Sequence, residues 1–156
     1  MRALVITVST RAAGGVYEDT TGPILADGLR ELGFDVDGPV VVADGDPYDV
    51  ELRAALERPY DVVLTTGGTG LTPHDRTPEI TARVLDREIP GIAEAIRAYG
   101  LAQGVPSAML SRGRAGVAGD PLVVNLAGSR GAVRDGLAVL SPILVHAVEQ
   151  VRGGDH

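Results

Sequence analysis

The sequence predicts an α/β domain, a three-layer sandwich with a mostly parallel central sheet and helices on both faces. Short β-branched runs alternate along the chain with segments of helical period. Each run gives way to a cluster of Gly, Asp, Ser or Thr, which marks the exit of a strand into a turn. The composition agrees: 44% of the 156 residues are hydrophobic but only 3% are aromatic, so Val, Leu, Ile and Ala must build the core. A chain of this length buries roughly 70% of the surface it exposes unfolded, enough to hold without a disulfide or metal. One domain is expected over residues 1–152, with 153–156 as a flexible tail.

Residues 2–9 read as a buried strand, followed by a Gly-rich loop over 10–19. A helix is expected from Thr21 to Leu32, with Pro23 in its first turn and Gly33 just past its end. Val36 to Ala43 is a second strand. Pro47 opens a helix, and Asp46 before it reads as its cap. Asp61 to Thr66 is a third strand, leading into a loop from Gly67 to Thr77. Thr77 and Pro78 read as the N-cap and first position of a helix to Asp86. Pro90 to Gly104 is helical. Val105 to Pro121 is irregular, with room for a small hairpin. Leu122 to Leu126 is a strand, residues 130–139 form a helix, and a last helix starts near Pro142 and ends near Val151.

Charge and composition exclude several classes. Fourteen basic against twenty-one acidic residues give a net charge of −7, so nucleic acid is not an expected partner. The absence of cysteine removes disulfides, thiolate zinc sites and a thiol nucleophile. His74, His146 and His156 stand too far apart in sequence for a histidine metal site. The start lacks the pattern of a signal peptide, and no apolar run approaches the roughly 18 residues of a spanning helix. No membrane association is expected, and the cytoplasm is the expected location.

In such sheets ligands bind beyond the carboxyl ends of the strands. Four segments fall there: Ser9-Thr10, Asp44-Gly45-Asp46, Thr65 to Asp75, and Asn125 to Ser129. The third holds Thr66-Gly67-Gly68-Thr69-Gly70, whose glycines allow close backbone approach and turn N–H groups towards an anion. The same glycines also suit a strained connection with no ligand. The spacing is neither a Walker A loop nor a GxGxxG fingerprint. Asp75 and Asp44 are either turn residues or carboxylates for Mg²⁺, which takes one or two carboxylates beside phosphate oxygens and water. Ser129 either caps the following helix or shares its N–H with a phosphate. Ser111, Arg112 and Arg114 form either a solvated basic loop or a phosphate clamp.

The run Thr65-Thr66-Gly67-Gly68-Thr69-Gly70-Leu71-Thr72-Pro73-His74-Asp75-Arg76-Thr77-Pro78-Glu79 resembles the signature loop of the MogA/MoaB family of molybdenum-cofactor biosynthesis proteins. The resemblance extends through Val8-Ser9-Thr10-Arg11, Thr21-Gly22-Pro23, Pro90-Gly91 with Glu94 and Arg97, Leu110-Ser111-Arg112, Val124-Asn125-Leu126 and Gly128-Ser129. It implies a MogA/MoaB-like fold, a homotrimer or a dimer of trimers, and binding of molybdopterin. It further implies Mg²⁺ and ATP, with adenylyl transfer to the pterin's terminal phosphate and release of pyrophosphate.

By the same resemblance, Asp75 and Asp44 are the catalytic and metal-holding carboxylates, and Thr66 to Gly70 face the nucleotide. Ser9, Ser111, Arg112, Asn125, Gly128 and Ser129 approach the pterin substrate. A molybdate-insertion protein is an implied partner. Three positions depart from the family pattern: Gly45 replaces a glutamate, His74 replaces an arginine, and Ala127-Gly128-Ser129-Arg130-Gly131 replaces Pro-Gly-Ser-Pro-Lys. These departures leave open a non-catalytic binding or regulatory module of the same fold. The acidic surface also suits a basic protein partner.

Overall fold

The computed structural model describes residues 1–156. Its elements, in chain order, are β1 (Arg2–Val8), α1 (Thr10–Ala13), α2 (Gly22–Glu31), β2 (Asp35–Val42), α3 (Asp46–Leu56), β3 (Val62–Thr66) and α4 (Thr77–Val84). Then follow β4 (Arg87–Glu88), α5 (Pro90–Ala102), a 3-10 turn (Pro106–Leu110), β5 (Ala115–Val117), β6 (Leu122–Leu126), α6 (Arg130–Leu140) and α7 (Leu144–Val151). The six strands form one sheet in the order β2-β1-β3-β6-β5-β4. β2, β1, β3 and β6 run parallel, and β5 and β4 pair antiparallel at one edge. The expected three-layer, mostly parallel architecture is what forms.

Strand alternation divides the core in two. On one face Ala3, Val5, Val62, Leu64, Leu122 and Val124 pack beneath α2, α5, α6 and α7. On the other, Leu4, Ile6, Val8, Val63 and Val123 meet Tyr48, Leu52 and Ala55 of α3 and Ile80 of α4. β3 and β6 are buried along their whole length; each opens with a three-residue apolar run, Val62–Leu64 and Leu122–Val124, and carries buried polar side chains (Thr65, Thr66, Asn125) towards its carboxyl end. No helix is long and apolar enough to cross a membrane.

Several local expectations are corrected. The loop after β1 contains a short helix, α1, with Ser9 at its N-cap. Thr77 is not the cap of α4 but its first residue; Arg76 occupies the cap position, and the buried Thr77 hydroxyl has no hydrogen-bond partner. Asp46 likewise lies inside the first turn of α3, and Gly45 takes the cap position at φ 83°. A capping side chain needs extended backbone, and neither Thr77 nor Asp46 has left the helix to adopt it. The irregular stretch holds the 3-10 turn and β5, which returns against β6 as the hairpin allowed by the sequence. The two-residue β4 carries no period and was not foreseen.

At the opposite edge, the Tyr60 hydroxyl donates to Asp37 at 2.7 Å and Arg2 donates at 2.9 Å. These two contacts, the tyrosine's first, hold the Asp37 carboxyl below its usual range. A depressed folded-state pKa gives stability that is present above the unfolded value and lost as pH falls through the folded one. Asp37→Asn is expected to lower the urea midpoint at about pH 7, with the deficit shrinking once pH drops below about 4. Parallel urea titrations of both proteins across that range check the sign.

Candidate functional site

The register of the sheet brings two turns together. β1 pairs with β3 up to Thr7↔Thr66, and β3 pairs with β6 up to Thr66↔Leu126. Both β3 and β6 therefore end at the same level. Gly67, the first residue beyond β3, donates its N–H to the Leu126 carbonyl at 2.9 Å. Its φ is 100°, and a Cβ there would stand 2.1 Å from the Val8 carbonyl oxygen. Only glycine fits this position. A Cβ on Gly128 would come within 3.2 Å of Gly67 Cα, so the turn after β6 rests directly on the turn after β3.

These two turns form one side of a cleft of about 770 Å³. Gly68, Thr69, Gly70 and Asp75 line it from the first turn, and Gly128 and Ser129 from the second. Asn125 and Ser111 also reach it. The facing wall comes from α5 and the 3-10 turn, through Ala93, Ile96, Arg97, Gly100, Ser107 and Leu110.

The loop's carbonyls are tied back to the protein. Gly68 O accepts from Thr77 N at 3.1 Å, and Thr69 O accepts from Arg112 N at 2.8 Å. Gly70 O and Asp75 O accept from the Arg112 side chain at 2.8 Å each, and Glu79 anchors the same guanidinium. Ser111 Oγ donates to Thr69 Oγ1 at 3.1 Å. By contrast, the N–H groups of Gly68, Thr69 and Gly70 donate to no protein acceptor, and neither do those of Gly128 and Ser129. Engaged carbonyls and free amides along consecutive residues are the chemistry of an anion-binding concavity.

The remaining candidates divide by role. Asn125 is buried, and its amide donates to Thr65 Oγ1 and Thr81 Oγ1 at 3.0 Å each while Oδ1 accepts from Arg114 N at 3.1 Å. Tyr48 OH joins this column through Thr81 at 2.9 Å. Burial pushes the Tyr48 hydroxyl up to about 12, so it stays neutral. Thr66 is buried and donates to Ala127 O at 3.0 Å, which joins the two turns. Ser129 Oγ accepts from Ala132 N at 3.1 Å, so its side chain caps α6 while its own N–H stays free.

Of the expected site residues, Ser9, Asp44, Thr66, Gly67 and Arg112 do not line the cleft. Ser9 caps α1 through Ala12 N at 3.2 Å and meets Tyr17 OH at 2.9 Å. Asp44 Oδ2 accepts from Thr10 N and Oγ1 at 3.1 and 2.8 Å. Its Oδ1 lies 2.9 Å, and Thr77 Oγ1 2.3 Å, from where a Cβ on Gly68 would fall. Asp75 Oδ2 accepts from Thr72 N at 3.0 Å and lies beside Gly70. No group of three or more His, Cys, Asp or Glu side chains could hold a metal unaided. Sequence reasoning missed Arg97 as a wall residue, although Ala93, Ile96, Arg97 and Gly100 recur at helical spacing and share one face.

Fold and cleft together define an α/β domain with a donor-rich cleft at the carboxyl ends of its parallel strands. Residues 4–146 match the family described as "Probable molybdopterin binding domain", and the chain belongs to that family. It is 38% identical over 156 residues to the molybdenum cofactor biosynthesis bifunctional protein of Synechococcus elongatus, covering 99% of this chain and 48% of that protein. The chain thus spans about half or less of several longer relatives. It is 35% identical to the molybdopterin adenylyltransferase of Helicobacter pylori strain J99, covering 96% of this chain and 86% of that one. Among solved structures, a MogA matches with TM-score 0.94 and 52% identity over 97% of this chain and 99% of that chain. A molybdopterin biosynthesis protein from Mycobacterium abscessus matches with TM-score 0.93 and 50% identity over 97% and 96%.

Arg112 acts on the loop from behind, so its loss should loosen the loop more than it destabilises the fold. Arg112→Ala is expected to cost about 1 kcal/mol globally, as for an exposed charge-assisted contact. Hydrogen exchange should accelerate within residues 68–76 and stay unchanged in β3 and β6. Equal acceleration throughout the sheet would contradict this role.

Proposed function

We propose that the cleft catalyses Mg²⁺- and ATP-dependent adenylylation of molybdopterin. The observation that carries this reading is the pair of touching turns whose free N–H groups line one cleft. A terminal phosphate oxygen of the pterin attacks the α-phosphorus of ATP and forms a new P–O bond. The bond from the α-phosphorus to the bridging oxygen of the β-phosphate breaks, and pyrophosphate leaves with that electron pair. No covalent enzyme intermediate is needed.

The protein's work is placement and charge stabilisation. The amides of Gly68, Thr69 and Gly70 hold the nucleotide phosphates, and those of Gly128 and Ser129 hold the pterin phosphate. Arg112 and Glu79 keep these donors in position from outside the cleft, and Asn125 does so from its lining. Names given to relatives support the reading, since the Helicobacter pylori protein is called a molybdopterin adenylyltransferase.

The donor set suits Mg²⁺. Two carboxylates flank the glycine loop, Asp75 beside Gly70 and Asp44 beside Gly68, and the buried Thr77 hydroxyl has no partner. One or two carboxylates, completed by substrate oxygens and water, are the usual protein share for this ion. Asp75 would hold it, with Asp44 as second carboxylate. Bound there, Mg²⁺ supplies neutralisation of triphosphate charge.

The same reading includes a cytoplasmic enzyme assembled as a homotrimer or a dimer of trimers, and a molybdate-insertion protein that receives the product. Tyr99, Leu101, Val105, Met109 and Leu110 expose apolar surface suited to burial between copies. A second reading, a binding module without turnover, has its own support: Asp44 is off the cleft wall and Gly45 stands where the family carries a glutamate.

Pyrophosphate release from ATP, measured with molybdopterin and Mg²⁺, separates the two. Turnover is expected, and Asp75→Asn should lower it by about 10²–10³-fold while pterin affinity is retained. Pterin binding with no pyrophosphate release by the unaltered chain would select the binding module.

A further inference from the structure

Beside the main cleft, the segment 111–114 lines a second, smaller recess of about 380 Å³. The two cavities share Ala93, Arg97, Ser111 and Gly113. Three guanidinium-bearing residues line the recess, Arg97, Arg112 and Arg114, against one carboxylate, Glu88. That is a local excess of positive charge in a chain of net charge −7.

The three arginines are not equivalent. Arg112 is taken up by Gly70 O, Asp75 O and Glu79. Arg114 pairs with Glu88 through Nη1 alone. Arg97 is half-buried, and no carboxylate lies within 4.0 Å of it. Its Nη1 makes two long bonds of 3.3 Å to the carbonyls of Ser111 and Gly113. Its Nε and Nη2 groups donate to nothing in the protein. A half-buried cation without a counter-charge is costly to keep, and a planar fork with open donors is matched to the oxygens of phosphate.

We propose that Arg97 and Arg114 form a phosphate subsite in this recess, opening onto the main cleft and separate from the glycine-loop amides. The source of the phosphate rests on the adenylyl-transfer reading: with the pterin phosphate held at Gly128 and Ser129, it is the departing pyrophosphate, and a free monophosphate is the competing outcome of the test. Glu88 competes with the ligand for Arg114, so binding frees the carboxylate from its ion pair. This competition gives the site a signature that a purely structural Arg97 lacks.

Calorimetric titration of the purified chain with inorganic phosphate and, separately, inorganic pyrophosphate tests the site at low ionic strength. Arg97→Gln should weaken binding about ten-fold, and Arg114→Gln about three-fold. Glu88→Gln should act in the opposite direction and tighten binding about two-fold, because it removes the internal competitor. Equal losses for both ligands support a monophosphate site, and a loss for pyrophosphate alone supports a leaving-group site.

Arg97→Gln also removes support from the Ser111 and Gly113 carbonyls. The exposed Arg114 and Glu88 variants therefore carry the test if that protein fails to fold. Unchanged affinity in Arg114→Gln together with unchanged or weaker binding in Glu88→Gln overturns the subsite. So does an Arg97→Gln protein that falls apart into monomers with phosphate affinity intact, since Arg97 would then serve a subunit contact. Pyrophosphate release by the unaltered chain is measured alongside. Its absence with the subsite behaviour intact would count against adenylyl transfer only; its presence with phosphate affinity indifferent to all three variants would count against the subsite only.

Discussion

One close approach fixes the geometry on which the site depends. Gly67 leaves β3 at φ 100°, donates to Leu126 O at 2.9 Å and faces the Val8 carbonyl with no room for a side chain. Through that residue the carboxyl ends of β1, β3 and β6 are locked at one level. The turn after β6 can then lie on the turn after β3, with Gly128 against Gly67. Any backbone that kept these strands but moved Gly67 outwards would separate the two turns and open the cleft between them.

Around that contact the protein divides its polar groups. Carbonyls of the glycine loop are engaged by Thr77, Arg112 and their neighbours, and consecutive amides remain free. The division matters because an anion needs donors that do not have to reorganise when it arrives. The buried column of Tyr48, Thr81, Asn125 and Thr65 is satisfied by its own members together with the Thr77 carbonyl and the Arg114 N–H. A fully bonded network of this kind stiffens the wall, whereas a half-bonded one would cost stability. The acidic net charge of the chain and its donor-rich cleft are thus compatible: an anion there would be held by local dipoles and a few arginines, not by the protein's overall field.

The fold was legible because its signals are periodic. Apolar residues recur at helical spacing in the helices, and the apolar runs of β1 and of the first halves of β3 and β6 reflect burial on both faces. The glycine loop was legible because backbone constraints leave few residue choices. What escaped was decided by tertiary contacts that leave no local trace. Thr77 looks like a cap in sequence, yet its backbone is already helical. Ser9 and Arg112 adjoin the candidate segments in sequence, but bonds to Ala12 and Gly70 turn them to structural tasks. The spacing of Ala93, Ile96, Arg97 and Gly100 shows that they share one helix face, but not that this face closes a cleft formed some thirty residues either way along the chain.

The central claim is that two phosphate-bearing molecules meet between the Gly68–Gly70 and Gly128–Ser129 amides. A crystal structure with a non-hydrolysable ATP analogue and Mg²⁺ tests it most directly. Electron density for the triphosphate is expected against the Gly68, Thr69 and Gly70 amides, with the α-phosphorus facing Ser129. A nucleotide bound with its phosphates away from both turns would contradict it.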